Sequence, residues 1–192
     1  MFLEKKRLLL LQKIILNNDK IKNKKFLNLL LKYHQNDLKI LFKTNGNKPF
    51  AIRLLDPPLR EFFPNSNKDL KDLMKKLSIK KSNFNEAIKN IKEVNPMLGK
   101  RGVRLGLTEI GIYKMQISAI FGALKDIKKK QNELFLPEII IPMVSSVEEV
   151  RVIKKMIMDI KKSFEKKYKM DFNFKFGVMI ETPRLALISK EI

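Results

Sequence analysis

Apolar residues recur at mixed spacings of three and four along residues 4–16 and 20–31, with lysines filling the positions between them. That is the period of an amphipathic helix, so two helices are predicted there. A shorter helical stretch, 36–42, runs into the turn signal Thr44-Asn45-Gly46-Asn47. The pattern then changes. Residues 49–55 are a short apolar run, closed by Asp56-Pro57-Pro58 because proline lacks the N–H that would extend a strand ladder. Asp56, ahead of two prolines, reads as a turn former. Residues 67–77 and 83–94 return to helical spacing, with Ser82 placed as a cap between them.

Asn95-Pro96 opens a loop expected to run through Gly99, Gly102 and Gly106. From Thr108 onward, Ile112, Met115, Ala119, Ile120, Ala123, Leu124 and Ile127 mark one face of a long amphipathic helix. Residues 137–144 (PEIIIPMV) are β-branched and apolar enough for a strand buried on both faces. Ser145 or Ser146 is an N-cap with an acid three residues on, a capping box for a helix reaching to about Tyr168. Residues 172–181 repeat the buried-strand pattern, and Pro183 turns the chain into a last helix.

Strands alternating with helices predict an α/β architecture with a parallel sheet. Arg53, the Arg101/Arg104 pair and Glu181 fall at strand ends, where β/α barrels place their chemistry. A closed barrel needs eight strand–helix units and typically ~250 residues, and only about four strands are legible here. The expectation is an incomplete (β/α)8 barrel of TIM type. Residues 1–192 are then one domain, truncated at both ends. Open strand edges and a bare apolar face would make such a half-barrel aggregate, or pair with a complementary chain.

Charge adds less than its size suggests. The net charge is +21, but only seven of the 41 cations are Arg, and the lysines are spread along almost the whole chain. They fall on the polar sides of the predicted helices and read as solvated faces. A surplus of Lys, Asn and Ile also matches the codon bias of an AT-rich genome. Weak polyanion binding at low salt is expected, but no specific nucleic acid. The absence of Cys excludes disulfides, thiolate metal sites and a cysteine nucleophile from this chain. His34 is the only histidine, which excludes a His-clustered metal site; its place in a helical stretch suggests a surface or interhelical polar residue. The leucine run 8–11 is far short of the roughly 20 apolar residues that span a bilayer, and no stretch reads as a signal peptide. No membrane association and a cytoplasmic location are expected. The nine methionines read as ordinary core filler.

Four ordered segments carry a family resemblance. They are Ile52-Arg53-Leu54-Leu55-Asp56-Pro57-Pro58-Leu59-Arg60-Glu61-Phe62-Phe63-Pro64, Asn95-Pro96-Met97-Leu98-Gly99-Lys100-Arg101-Gly102-Val103-Arg104-Leu105-Gly106, residues 137–144, and Gly177-Val178-Met179-Ile180-Glu181-Thr182-Pro183-Arg184. Together they resemble the pyruvate, phosphate dikinase family of phosphoenolpyruvate-utilising enzymes, over essentially the whole chain. Met1-Phe2 is similar to the tail of that family's first barrel strand. Phosphoenolpyruvate synthase and phosphotransferase-system enzyme I share the Asn-Pro-x-Leu-Gly-x-Arg pattern, whereas Leu-Leu-Asp-Pro-Pro-Leu favours the dikinase.

The resemblance implies a barrel that binds phosphoenolpyruvate or pyruvate, in a homodimeric enzyme whose other domains bind ATP and carry a swinging phosphohistidine. It also implies that this chain supplies roughly strands 2 to 5 of the barrel with their helices. The implied reaction converts ATP, phosphate and pyruvate reversibly to AMP, diphosphate and phosphoenolpyruvate. Arg53 and Arg101 would hold the phosphoryl group or carboxylate, Arg104 would support them, and Glu181 would ligate Mg2+. The residue types suit those roles. A guanidinium fork matches an oxyanion bidentately and stays charged, and Mg2+ takes hard carboxylate oxygens. In blander readings, Arg53 is an inner ion-pair partner and Glu181 a buried acid needing a cation or Arg beside it. The family's second Mg2+ ligand, an Asp preceded by Asn, and its proton-donating Cys lie on segments this chain does not include. A fragment unable to complete the reaction alone is therefore expected. The alternatives are a phosphoenolpyruvate synthase fragment and a non-catalytic basic polyanion-binding protein.

Overall fold

The computed structural model describes residues 4–16, 20–46, 48–64, 66–77, 99–131 and 136–192. The predicted helix 83–94, Ser82, the start of the following loop and Met1-Phe2 lie outside them. The described residues are mixed α/β and mostly helical, and none of their helices is long and apolar enough to cross a membrane.

Three strands pair in parallel: β1 (Phe50–Arg53), β2 (Pro137–Ile141) and β3 (Lys175–Val178), in the order β1-β2-β3. Arg53 stands beside Ile140, which stands beside Gly177. The ladders outlast the strands by one bond each, because Leu54 N–H donates to Ile140 O (3.0 Å) and Met179 N–H to Ile141 O (2.9 Å). β2 is not buried on both faces as its composition suggests. Pro137, Ile139 and Ile141 are buried, while Glu138 and Ile140 are half-buried. Glu138 pairs with exposed Lys175 at 3.1 Å across the ladder, which keeps that face hydrated.

The chain divides into two compact units, residues 1–30 with 57–101 and residues 31–56 with 102–192. In the first, α1 (Lys5–Leu16) packs against a 3-10 turn (Leu59–Phe62), and α3 (Asn67–Leu77) follows. Gln12, buried on α1, donates its side-chain amide to Phe62 O at 2.5 Å. Helix α2 (Lys20–Asn45) starts in this unit and ends in the other. It fuses the two helices expected at 20–31 and 36–42. No Gly or Pro interrupts residues 31–36, and Leu30, His34, Leu38 and Phe42 form a buried stripe four residues apart. His34 is therefore an interior residue at 2 % exposure rather than a surface one.

In the second unit, α4 (Gly102–Thr108) replaces the expected loop. Val103 and Leu105 are buried, and Gly106 lies so close to the Tyr113 ring that no Cβ would fit. Helical packing thus overrides the glycine signal. The chain breaks at Glu109 and resumes as α5 (Ile110–Gln131), whose seven predicted core positions are all buried. Tyr113, Ile117 and Phe121 are buried as well, so α5 is enclosed more completely than one amphipathic face requires. α4 and α6 (Val147–Tyr168) pack on α5 and on each other. Phe121, Phe164 and Phe172 meet with centroids 5.8–6.1 Å apart. Ser146 is the α6 N-cap: its hydroxyl accepts Glu149 N–H at 3.3 Å, and Glu149 Oε2 accepts Ser146 N–H at 3.1 Å and Ser145 N–H at 2.7 Å.

Two predictions follow from these contacts. Ser146→Ala removes one half of the capping box and should lower the unfolding free energy by about 1 kcal/mol in denaturant titration. Asp126 on α5 accepts Gln35 at 2.9 Å and pairs with Lys125 at 2.8 Å and Lys39 at 3.8 Å. Burial opposes its ionisation, but the Lys125 and Gln35 hydrogen bonds and the two lysine charges outweigh burial and hold the carboxyl below its ordinary range. Its stabilisation should be complete above the unfolded carboxylate pKa of ~3.9 and fade as pH falls through the lower native value. Asp126→Asn should flatten the acid limb of a thermal-unfolding profile taken from neutral to strongly acid pH.

Candidate functional site at the carboxyl edge of the sheet

Parallel strands all finish on one edge, so the segments after β1, β2 and β3 leave the sheet side by side. In the second unit the β1 and β2 segments are tied to the start of α4, and the β2 and β3 segments to each other. Gly102 N–H donates to Asp56 O (3.1 Å) and Val103 N–H to Pro142 O (3.0 Å). Met143 N–H donates to Glu181 Oε1 (2.6 Å), and Thr182 Oγ1 to Val144 O (2.8 Å).

Arg53 is the last residue of β1. Its side chain is 54 % exposed, with Nη1 at 3.7 Å from Oδ2 of Asp56, whose side chain is only 7 % exposed. At that distance and exposure the pair orients the guanidinium more than it stabilises the fold. Asp56 is thus more than a turn former, and Arg53 is an ion-pair partner that still faces solvent. The segment between them is anchored from below by α5: Leu55 N–H donates to Gln116 Oε1 (3.0 Å), and Leu55 O accepts the Tyr113 hydroxyl (3.2 Å). Burial, and then the negative charge of Asp56, push the Tyr113 phenol far above its ordinary pKa. It therefore remains a hydrogen-bond donor at any working pH.

Glu181 follows β3. It is exposed and not the buried acid its apolar neighbours suggest, and one of its carboxylate oxygens accepts the main-chain N–H of Met143. Thr182 continues the anchorage, since it also caps α7 (Pro183–Leu187) by accepting Leu185 N–H at 3.2 Å. Met143 is no mere core filler: its side chain is buried, and its backbone is left-handed at φ 57°. Arg104 is half-buried in the first turn of α4. Arg101 is half-buried, donates its N–H to Gly99 O at 3.0 Å, and is the last residue of the first unit.

The fold thus carries Arg53, Asp56, Gly102, Met143 and Glu181 to one edge. The parts that sequence reasoning missed are Gln116, Tyr113 and Met143. Gln116 was detectable as a polar residue amid the apolar positions of α5; a left-handed methionine has no local signal. Among the described residues no group of three or more His, Asp or Glu could hold a metal ion. Glu181 offers a single carboxylate with one oxygen already engaged. Mg2+ is often bound by one or two carboxylates and completed by ligand oxygens and water, so these residues fit a cation shared with a bound oxyanion, not one caged by the chain alone.

Comparison with known proteins identifies the family. The family model described as PEP-utilising enzyme, PEP-binding domain, matches residues 1–192. The chain is 41 % identical over 192 residues to a pyruvate, phosphate dikinase of Rickettsia bellii and 32 % identical over 192 residues to that of Clostridium symbiosum. It is 37 % identical over 200 aligned residues to the pyruvate, phosphate dikinase of Entamoeba histolytica. Each alignment covers 100 % of this chain but 22 % of the relative, so the chain spans about a fifth of their length.

The geometry separates scaffold from exposed chemistry. Tyr113→Phe or Gln116→Leu strands a buried main-chain group of Leu55 and should cost about 1–3 kcal/mol in chemical denaturation. Arg53→Ala, on an exposed side chain, should cost less than about 1 kcal/mol in the same measurement.

Proposed function

The chain belongs to the PEP-utilising enzymes and corresponds to their PEP-binding domain, and on that basis we propose that it binds phosphoenolpyruvate and pyruvate at the carboxyl edge of the sheet. The observation that carries this reading is the gathering of Arg53 and Glu181 at that edge, each held by a neighbour from another segment or turn. Arg53, aligned by Asp56, presents a permanent cation to the phosphoryl group or carboxylate. Arg101 is the second such group. Its support is its place in the Asn-Pro-Met-Leu-Gly-Lys-Arg motif, one residue before the anchored Gly102. Arg104 assists from α4.

Glu181 would hold Mg2+ together with oxygens of the bound ligand. When bound, the ion supplies positive charge against an enolate oxygen. The chain's own part is to bind and orient: two guanidinium groups fix the anion, and the Met143 N–H fixes the acid. In the longer protein this domain would serve the dikinase reaction, ATP, phosphate and pyruvate to AMP, diphosphate and phosphoenolpyruvate. The three parallel strands would be part of a TIM-type barrel completed by further residues or a complementary chain, in a cytoplasmic homodimer. Residues 1–192 contain no Cys to protonate an enolate and would not complete that reaction alone.

Calorimetric titration of the naturally expressed protein with phosphoenolpyruvate in Mg2+ should give saturable binding. Arg53→Ala and Arg101→Ala should each weaken it at least about tenfold, the loss expected for one charged hydrogen bond. Should both variants bind as tightly as the parent, or should the protein take up only duplex DNA in a salt-dependent way, this reading is wrong.

A further inference from the structure

Resting on that reading only for the role of Glu181, we propose that Gly102 and Met143 are the positioning residues of its carboxylate: the space left at Gly102 lets Met143 hold a left-handed backbone, which aims its N–H at Glu181. Left-handed backbone is costly for any residue with a Cβ and is retained where surroundings over-determine it. Here they do. The peptide before Met143 is pinned by Val103 N–H on Pro142 O (3.0 Å), and the peptide N–H of Met143 itself by Glu181 Oε1 (2.6 Å).

Gly102 is the other half of the lock. A Cβ on it would stand 2.6 Å from Met143 Cβ, 2.9 Å from Met143 Cγ and 2.9 Å from Pro142 O, and its own φ is +51°. Two left-handed residues thus sit back to back, one on α4 and one after β2, and neither could change without moving the other. The acceptor is an exposed side chain, so core packing gains little from this bond. What the bond does is set the direction of a carboxylate from outside its own strand. Because Gly102 N–H also holds Asp56 O, the partner of Arg53 and the orientation of Glu181 refer to the same point on α4.

The test uses the naturally expressed protein, isotope-labelled at its methionine amides, with Gly102→Ala, Glu181→Ala and the double variant Gly102→Ala/Met143→Gly. A carboxylate-bound amide resonates at low field and exchanges slowly. Gly102→Ala should shift the Met143 amide as Glu181→Ala does, leaving Met115 and Met156 unmoved. It should also weaken phosphoenolpyruvate binding in Mg2+ by about tenfold, the loss of one well-aligned charged hydrogen bond. Adding Met143→Gly removes the colliding Cβ and Cγ and leaves the Pro142 O contact, so part of that affinity should return. Unchanged Met143 resonance and affinity in Gly102→Ala would overturn the proposal. Where Gly102→Ala does not fold, Met143→Val decides by affinity: it keeps the N–H but resists left-handed backbone, so wild-type phosphoenolpyruvate affinity would refute the assignment. If the parent binds no phosphoenolpyruvate, the functional reading fails, and the Met143 resonance in Glu181→Ala still tests the positioning.

Discussion

Parallel pairing of β2 with a strand on each side is the constraint from which the rest of the second unit follows. Antiparallel neighbours would send their chain ends to opposite edges; parallel ones deliver Arg53, Met143 and Glu181 to the same edge from segments far apart in the chain. The register carries the detail. With Arg53 level with Ile140 and Gly177, the outgoing segments leave side by side: two bonds tie the β1 and β2 segments to the start of α4, and two more tie the β2 segment to the β3 segment.

Such an edge has a cost that the helices below it meet. Residues 54–56 run through the interior without a strand partner on both sides, and an unpaired peptide group there would be strongly destabilising. Gln116 and Tyr113, one helical turn apart on α5, supply a matching acceptor and donor to Leu55. The same tyrosine ring occupies the space that Gly106 leaves open, so the anchor for the β1 segment and the close approach of α4 to α5 are one packing arrangement. Chemistry at the edge stays exposed because its support is buried.

Much of this was legible in the order of residues. Helical periodicity located α1, α3, α5 and α6, the capping signal at Ser145 or Ser146 placed the start of α6, and apolar runs located the three strands, because each of these depends on contacts within a few residues; the run 172–181, read as a buried strand, yields only β3, whose residues are exposed or half-buried. The failures share a cause. The α2 break and the 102–106 loop were expected from local turn and glycine signals, and tertiary burial of His34, Val103 and Leu105 overrode them. Burial on both faces of β2 was read from composition, whereas the Glu138–Lys175 pair across the ladder belongs to no local window.

At the edge itself, the motifs around Arg53, Arg101 and Glu181 identified the family and the residue types able to meet an oxyanion, since charge and donor geometry are properties of the side chains themselves. Sequence alone therefore determined which groups are available, and the helix–strand alternation determined that a parallel sheet would carry them. Only the tertiary structure decided that Glu181 is exposed and satisfied by a main-chain N–H, that Asp56 faces Arg53, and that a methionine takes up left-handed backbone against a glycine from another element. Apart from the Arg53–Asp56 pair, which lies within one motif, those outcomes depend on atoms brought together by register and packing from segments far apart in the chain, which no spacing within a motif encodes.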